Sequence, residues 1–307
     1  MYRKLKKKIL TKHCLSLIGM GDLRKETKMR RRLETKIKDD LLKSELWINK
    51  IKDDCEKQKV FFAIRDNVVD FYHKGGRLFN YSNMGFITHI KYASVIDSDG
   101  KDYITEDDLK NYKFTTDFKN NYKRIKENCS KYSGVEALGV SDIYHQNSFL
   151  SDKDVVVLDI EISFKSESEK NKQDRIDILL YNKINRTLQF VEAKHFSNGE
   201  IWSNTKPKVI DQIKRYEDQI KNNKKEILIE YSSYIQLINS IFNTKLPEPE
   251  DIDPKVTLLI FDFDNNQKNG RLKDLIVKNP SFKDIKCYMI GGIKKIVTLN
   301  LWNAKSL

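Results

Sequence analysis

The sequence predicts an α/β (α+β) fold, a mixed central sheet flanked by helices, and three observations carry that expectation. Apolar, β-prone runs recur at 155–165, 175–181, 187–196, 255–264 and 285–292, and segments with helical spacing precede and separate them. After residue 113 their order is helix, strand, strand, strand, helix, strand, helix, strand, which a layered mixed sheet accommodates. A hydrophobic content of 39% beside 33% charged residues over 307 positions suits a globular chain with a sizeable core.

Taken in order, residues 1–22 read as a basic arm, or as a leader upstream of a start at Met29. Over 29–59, Leu33, Ile37, Leu41 and Leu42 share one side of a helix entered through MRRR, and the opposite, basic face is the one a substrate could use. From Val60 the period changes. VFFAIR, VVDFYHK, RLFNYS and FITHIKYASVI, punctuated by Asp66-Asn67, Lys74-Gly75-Gly76 and Asn83-Met84-Gly85, predict a small antiparallel meander. Lys74, Arg77 and Lys91 alternate there with Tyr and Phe as they do on nucleic-acid-reading sheets, but aromatics also fill any half-buried meander, and packing is the preferred reading.

An acidic, polar stretch at 102–110 leads to a boundary near Tyr112. The chain thus divides into a basic helical segment (1–59), the meander (60–112) and a third domain (113–307). In the third, helix is expected over 114–131 and, after Tyr132-Ser133-Gly134, on through His145. VVVLDIEISFK is a strand and 166–173 a polar connection. Pro207 opens a long amphipathic helix to about Tyr231, Pro being well suited to a helix start. KVTLLIFDFD, a helical piece at 272–277 and IKCYMIGG complete the sheet.

The net charge is +13 with an isoelectric point near 9.3, which favours an acidic polymer as partner, because Lys and Arg gain affinity for phosphate backbones by counterion release. Roughly ten of those charges belong to the first 59 residues, with about 19 basic against 9 acidic side chains. Cys14, Cys55, Cys129 and Cys287 form no CxxC pair, so neither a zinc knuckle nor a disulfide framework is indicated, and a reducing cytoplasm is the expected home. No apolar run reaches the 18 or so residues of a membrane span.

One stretch speaks about chemistry: DRIDILLYNKINRTLQFVEAKHF at 174–196, two apolar-rich runs joined by a turn at Asn182, Lys183 and Asn185. Strand side chains change face at every residue, so Glu192 and Lys194 share a face, and register could bring Asp177 beside Glu192. Carboxylates and an ammonium among core-bound residues are costly unless a metal or ion pairing compensates. Asp177 followed in the next strand by Glu192-Ala193-Lys194 resembles the PD-(D/E)xK nuclease superfamily, the restriction-endonuclease-like fold. Here Ile176 stands where that motif has Pro. Gln212 and Tyr216 in QIKRY resemble the Gln-x-x-x-Tyr helix of the RecB-like branch, and residues four apart share a helix face. Glu161 in LDIEIS matches the extra upstream acid of some members. The triplet alone carries nothing, since ExK also occurs at 26–28 and 34–36.

The resemblance implies a metal-dependent deoxyribonuclease, an endonuclease in restriction or anti-phage defence, with DNA as partner and RNA left open, and with room for a homodimer or a partner protein. It implies Asp177, Glu192, the Ala193 carbonyl and, in a second site, Glu161 as ligands of Mg²⁺, with Mn²⁺ as substitute. Lys194 would orient the attacking water and offset charge on phosphorus, Gln212 would orient water or phosphate, and Tyr216 would brace Gln212. The alternative is a non-catalytic nucleic-acid-binding protein that keeps the fold. His195 faces away from the triplet, and His89 and His145 have no partner spacing. A rival motif, LLIFDFDNN, sets Asp262 and Asp264 at the end of an apolar strand, as in haloacid-dehalogenase-type phosphatases, but Asn266 replaces the Thr or Val of that motif and only a short tail follows.

Overall fold

The computed structural model describes residues 29–94, 101–111, 117–163, 175–203 and 205–307. The arm at 1–22 and the connection at 166–173 lie outside these residues.

The single helix expected over 29–59 is an extended entry followed by two shorter pieces. Arg32 bridges Asp66 in parallel fashion, and α1 spans Thr35–Lys43. It stops at Ser44, whose backbone is extended and whose hydroxyl donates to the Leu41 carbonyl at 2.7 Å, a local bond that competes with helix continuation. A π-helical turn, Trp47–Ile51, then runs into α2, Lys52–Glu56. Leu33, Ile37 and Leu41 are buried, as their spacing predicts.

The meander forms in chain order from β1 (Phe61–Ile64), β2 (Val69–His73), β3 (Gly76–Ser82), β4 (Gly85–His89) and β5 (Tyr103–Thr105), every neighbour antiparallel. The last apolar run does not stay extended. His89 accepts the Lys91 N–H on Nδ1 at 3.0 Å and caps the short helix α3, Ile90–Ala93. β5 comes from the stretch read as polar loop: its one buried residue, Ile104, is too little for a period-2 pattern to register.

Helices α4 (Phe118–Lys131) and α5 (Val135–Gln146) precede β6 (Val155–Ser163), β7 (Arg175–Asn182) and β8 (Thr187–His195). After Pro207 come α6 (Lys208–Asn222) and α7 (Lys224–Phe242), separated at Asn223, so the helical stretch is broken and runs past the expected end at Tyr231. Then follow β9 (Asp251–Ile252), β10 (Thr257–Phe261), the one-turn α8 (Asn265–Gln267), a π-helix at Lys268–Val277, β11 (Lys286–Ile290), α9 (Thr298–Trp302) and β12 (Lys305–Ser306). The sheet order is β12-β11-β10-β8-β7-β6, with β9 beside β8. β6, β7 and β8 are antiparallel, whereas β8, β10 and β11 are parallel. The mixed sheet flanked by helices is therefore present. β8 is buried from Leu188 through Lys194, and strands covered on both faces read as nearly continuous apolar runs.

The buried side chains form one continuous core. Trp47, Phe62 and Phe242 meet with ring centroids 5.1–5.9 Å apart, joining the N-terminal segment, the meander and α7. A fully buried carboxylate, Asp159, accepts from Arg31 Nε at 2.8 Å, Arg65 Nη1 at 2.8 Å and Tyr231 Oη at 2.9 Å. Of the arginines of MRRR, the central one is thus committed to the core. Arg31 is buried against Asp159, and Arg30 and Arg32 pair with Asp66 at 3.7 and 2.6 Å. Cys55, Cys129 and Cys287 are buried free thiols. Among the described residues no helix is long and apolar enough to cross a membrane.

The turn between β2 and β3 docks on α5. Gly75, at φ +80°, donates its N–H to Tyr144 Oη at 3.0 Å, and a Cβ there would lie 2.6 Å from the Ala137 carbonyl carbon. Gly75→Ala combines a left-handed backbone with a clash against helix backbone, so a loss of about 2–3 kcal/mol is expected, read as a lower denaturant midpoint at unchanged m-value.

Candidate active site

The β7–β8 register pairs Ile178 with Val191, and one further step sets Asp177 opposite Glu192. On the other side, Ile160↔Ile178 and Ile162↔Ile176 bracket Glu161 and Asp177. Glu161, Asp177 and Glu192 therefore occupy one rung across three strands, and residues directly opposite share a face. Asp177 Oδ2 accepts the Ala193 N–H at 2.7 Å, which fixes its carboxylate over β8. Lys194 Nζ lies 2.8 Å from Glu192 Oε1 and 2.8 Å from Glu200 Oε2. Glu192 and Lys194 are only 1% and 5% exposed. Asp177, Glu192 and Lys194 are thus brought together.

The remaining expected residues stand further out. Glu161 has φ 52°, a left-handed backbone that costs a non-glycine residue about 1–2 kcal/mol, and its Oε2 is 3.0 Å from Arg175 Nη1. Tyr216, fully buried, donates to the Arg175 carbonyl at 2.7 Å and receives Gln212 Nε2 at 2.8 Å. The pair therefore clasps the start of β7, two residues ahead of Asp177.

Two acids were not foreseen, Glu136 and Glu200. Glu136, in the first turn of α5, accepts the His195 N–H at 2.9 Å and Asn198 Nδ2 at 2.8 Å through Oε2. With Tyr72, Gly75, Glu161 and Asp177 it lines a cavity of about 80 Å³. An acid just after Ser133-Gly134 is a readable helix-start signal, but only the packing of α5 over the sheet aims it at the site. Glu200, the second partner of Lys194, was likewise visible only in three dimensions.

The electrostatics are those of crowded carboxylates. Burial pushes the Asp177 carboxyl well above its usual range, and the Glu192 charge adds to that. Burial raises Glu192 to about 7 even though Lys194 opposes the shift. Burial works against the Lys194 ammonium, but Glu192 and Glu200 outweigh it and its pKa is raised, so it stays charged. Glu192 Oε2 is buried with no hydrogen-bond partner. Among the described residues, no three His, Cys, Asp or Glu side chains are gathered as one metal-holding group. An orphaned carboxylate oxygen beside a second strained carboxyl is nonetheless a hard-oxygen donor set of the kind Mg²⁺ accepts, with water in its other positions.

A carboxyl whose folded-state pKa is raised favours folding at low pH, and that contribution is lost as pH climbs through the raised value. Through Glu192, metal-free protein is expected to lose stability between about pH 4.5 and 7, and thermal melts across that range should show a flatter slope in Glu192→Gln.

The other singled-out residues make local hydrogen bonds. His195 Nδ1 is 2.7 Å from Ser197 Oγ, and His145 Nε2 accepts the Lys74 N–H at 3.1 Å. Asp262 Oδ1 accepts the Ile293 N–H at 2.9 Å, and Asp264 closes a capping box with Gln267. No family model, curated protein or solved structure matches the chain.

Proposed function

We propose that the chain is a metal-dependent nuclease of the PD-(D/E)xK, restriction-endonuclease-like type, hydrolysing phosphodiester bonds of DNA endonucleolytically. The observation that carries this reading is the buried Asp177–Glu192 pair on adjacent strands, with an orphaned carboxylate oxygen and an ammonium alongside. Asp177, Glu192 and the Ala193 carbonyl would hold Mg²⁺ or Mn²⁺, with Glu161 available to a second ion. When bound, such an ion neutralises phosphate charge and acidifies water.

The chain's own residues supply the rest. Lys194 offsets negative charge growing on the phosphate oxygens, and because it stays protonated it acts by charge and orientation, not as a base. Glu200 shares Lys194 with Glu192 and fixes where that ammonium stands. Gln212, held by Tyr216, is the group on α6 that would reach water or phosphate beside β7. Glu136 ties the end of β8 to α5 and keeps the Glu192–Lys194 strand in place.

Wild-type protein is expected to cut plasmid and single-stranded DNA only with Mg²⁺ or Mn²⁺. Asp177→Ala and Lys194→Ala should each lower the rate by about 10²-fold or more while binding is kept. Binding by wild type with no cleavage in either metal would mark a non-catalytic nucleic-acid-binding protein instead.

A further inference from the structure

The outer side of the meander and the adjoining C-terminal end of α4 carry rings and cations that the chemistry above leaves unused. Phe71, Phe79 and Phe86 point inward and are buried. Tyr103 and Tyr132 are 46% and 60% exposed, and they end a continuous run of rings. Tyr103 lies 5.2 Å from His89, its cross-strand partner, His89 lies 5.4 Å from Tyr92, and Tyr92 stacks on Tyr132 at 6.3 Å. Two cations flank the run, Arg77, which also lies 3.5 Å from Asp70 Oδ1, with Cζ 5.4 Å from the Tyr103 centroid, and Lys91 with Nζ 5.8 Å from that of Tyr132. Core packing does not explain two exposed tyrosines backed by cations.

The run also points somewhere. Arg77 is the cross-strand partner of Tyr72, and Tyr72 lines the same cavity as Asp177 and Glu161. Tyr103 thus connects through Arg77 and Tyr72 to the carboxylates.

We propose that this face binds an unpaired nucleic-acid strand, its bases stacking on Tyr103 and Tyr132 and its phosphates meeting Arg77 and Lys91, and leads it toward the cavity that Glu161 and Asp177 line. The inference rests on the nuclease reading and names its substrate class: single-stranded DNA. Every base has a π-face, so stacking is tolerant of sequence, and a duplex keeps those faces hidden. Cations at the ring edges add phosphate attraction and a salt dependence.

The test measures binding of fluorescent single-stranded and duplex oligonucleotides to the full chain carrying Asp177→Asn, so that no strand is consumed. Adding Tyr103→Ala and Tyr132→Ala is expected to weaken single-strand binding roughly tenfold or more, to leave duplex binding little changed, and to leave the salt slope as it was. Tyr103→Phe with Tyr132→Phe should restore affinity, because the rings return without the hydroxyls. Arg77→Gln with Lys91→Gln should instead reduce the slope, by at most about 1.4 because Asp70 already holds part of the Arg77 charge. Equal single-strand affinity in the Ala and parent proteins overturns the proposal, as does a self-association that the Ala variants abolish, which would make the face an interface between copies. These outcomes are independent of the nuclease reading: cleavage by wild type with ring variants binding normally sinks only this inference, and ring-dependent binding without cleavage sinks only the nuclease.

Discussion

Metal-free Asp177→Asn should melt above the wild type at pH 8 and cut nothing in any metal. Asn is isosteric with Asp, and its carbonyl oxygen can still take the Ala193 N–H. What the substitution removes is a charge that burial and the neighbouring Glu192 both disfavour. The Lys194 pairs with Glu192 and Glu200 are untouched. Since the folded-state pKa of Asp177 is raised, the penalty for its charge is full above that value and vanishes below the unfolded one. A gain of about 1–2 kcal/mol is expected at pH 8, the usual yield of relieving a functional site, and it should shrink toward pH 4. Thermal melts in chelator at the two pH values check it. A variant that melts lower at pH 8 would show that the Asp177 carboxylate stabilises the fold, and the case for a cation-seeking pair would fall.

Asp159→Ala is expected to be among the most damaging single changes, costing about 3–5 kcal/mol, because it takes the shared carboxylate from the buried Arg31 and the half-buried Arg65 guanidinium groups. Here the pH dependence has the opposite sign. Burial alone would raise the Asp159 carboxyl, but Arg65 and Arg31 outweigh it and hold it below its usual range. Its contribution is therefore present above the ordinary carboxylate pKa and lost as pH falls through the depressed value. Urea unfolding at neutral pH reads the loss, and Arg31→Met in the Asp159→Ala background should recover part of it. A change under about 1 kcal/mol would mean that the cluster is relaxed by water and contributes little.

Much of the seven-stranded sheet was legible because its signals are local. The continuous apolar runs of β6, β7 and β8 and the Asn-rich turn between the last two survive any context. Acids within those runs stand out because burial makes them costly. Asp177, Glu192 and Lys194 converge because strand periodicity and hairpin register settle neighbours within one pair of strands. What escaped was non-local. Glu136 and Glu200 reach the site through the packing of α5 and the turn after β8, which no period encodes. The burial of Arg31, at the entrance of the expected helix, escaped because helical spacing cannot reveal a buried acid 128 positions along the chain. The exposed rings of the meander resembled ordinary filling until their outward direction was known, and β5 is too short for alternation to show.

The meeting of Trp47, Phe62 and Phe242 bears on how deletions of this chain must be designed. Excising the first 59 residues would strip an indole from the middle of an aromatic seam and withdraw the guanidinium of Arg31 from Asp159, so any activity lost would report collapse rather than a missing foothold on substrate. A truncation meant to interrogate the basic residues ahead of the described part of the chain has to end before Met29.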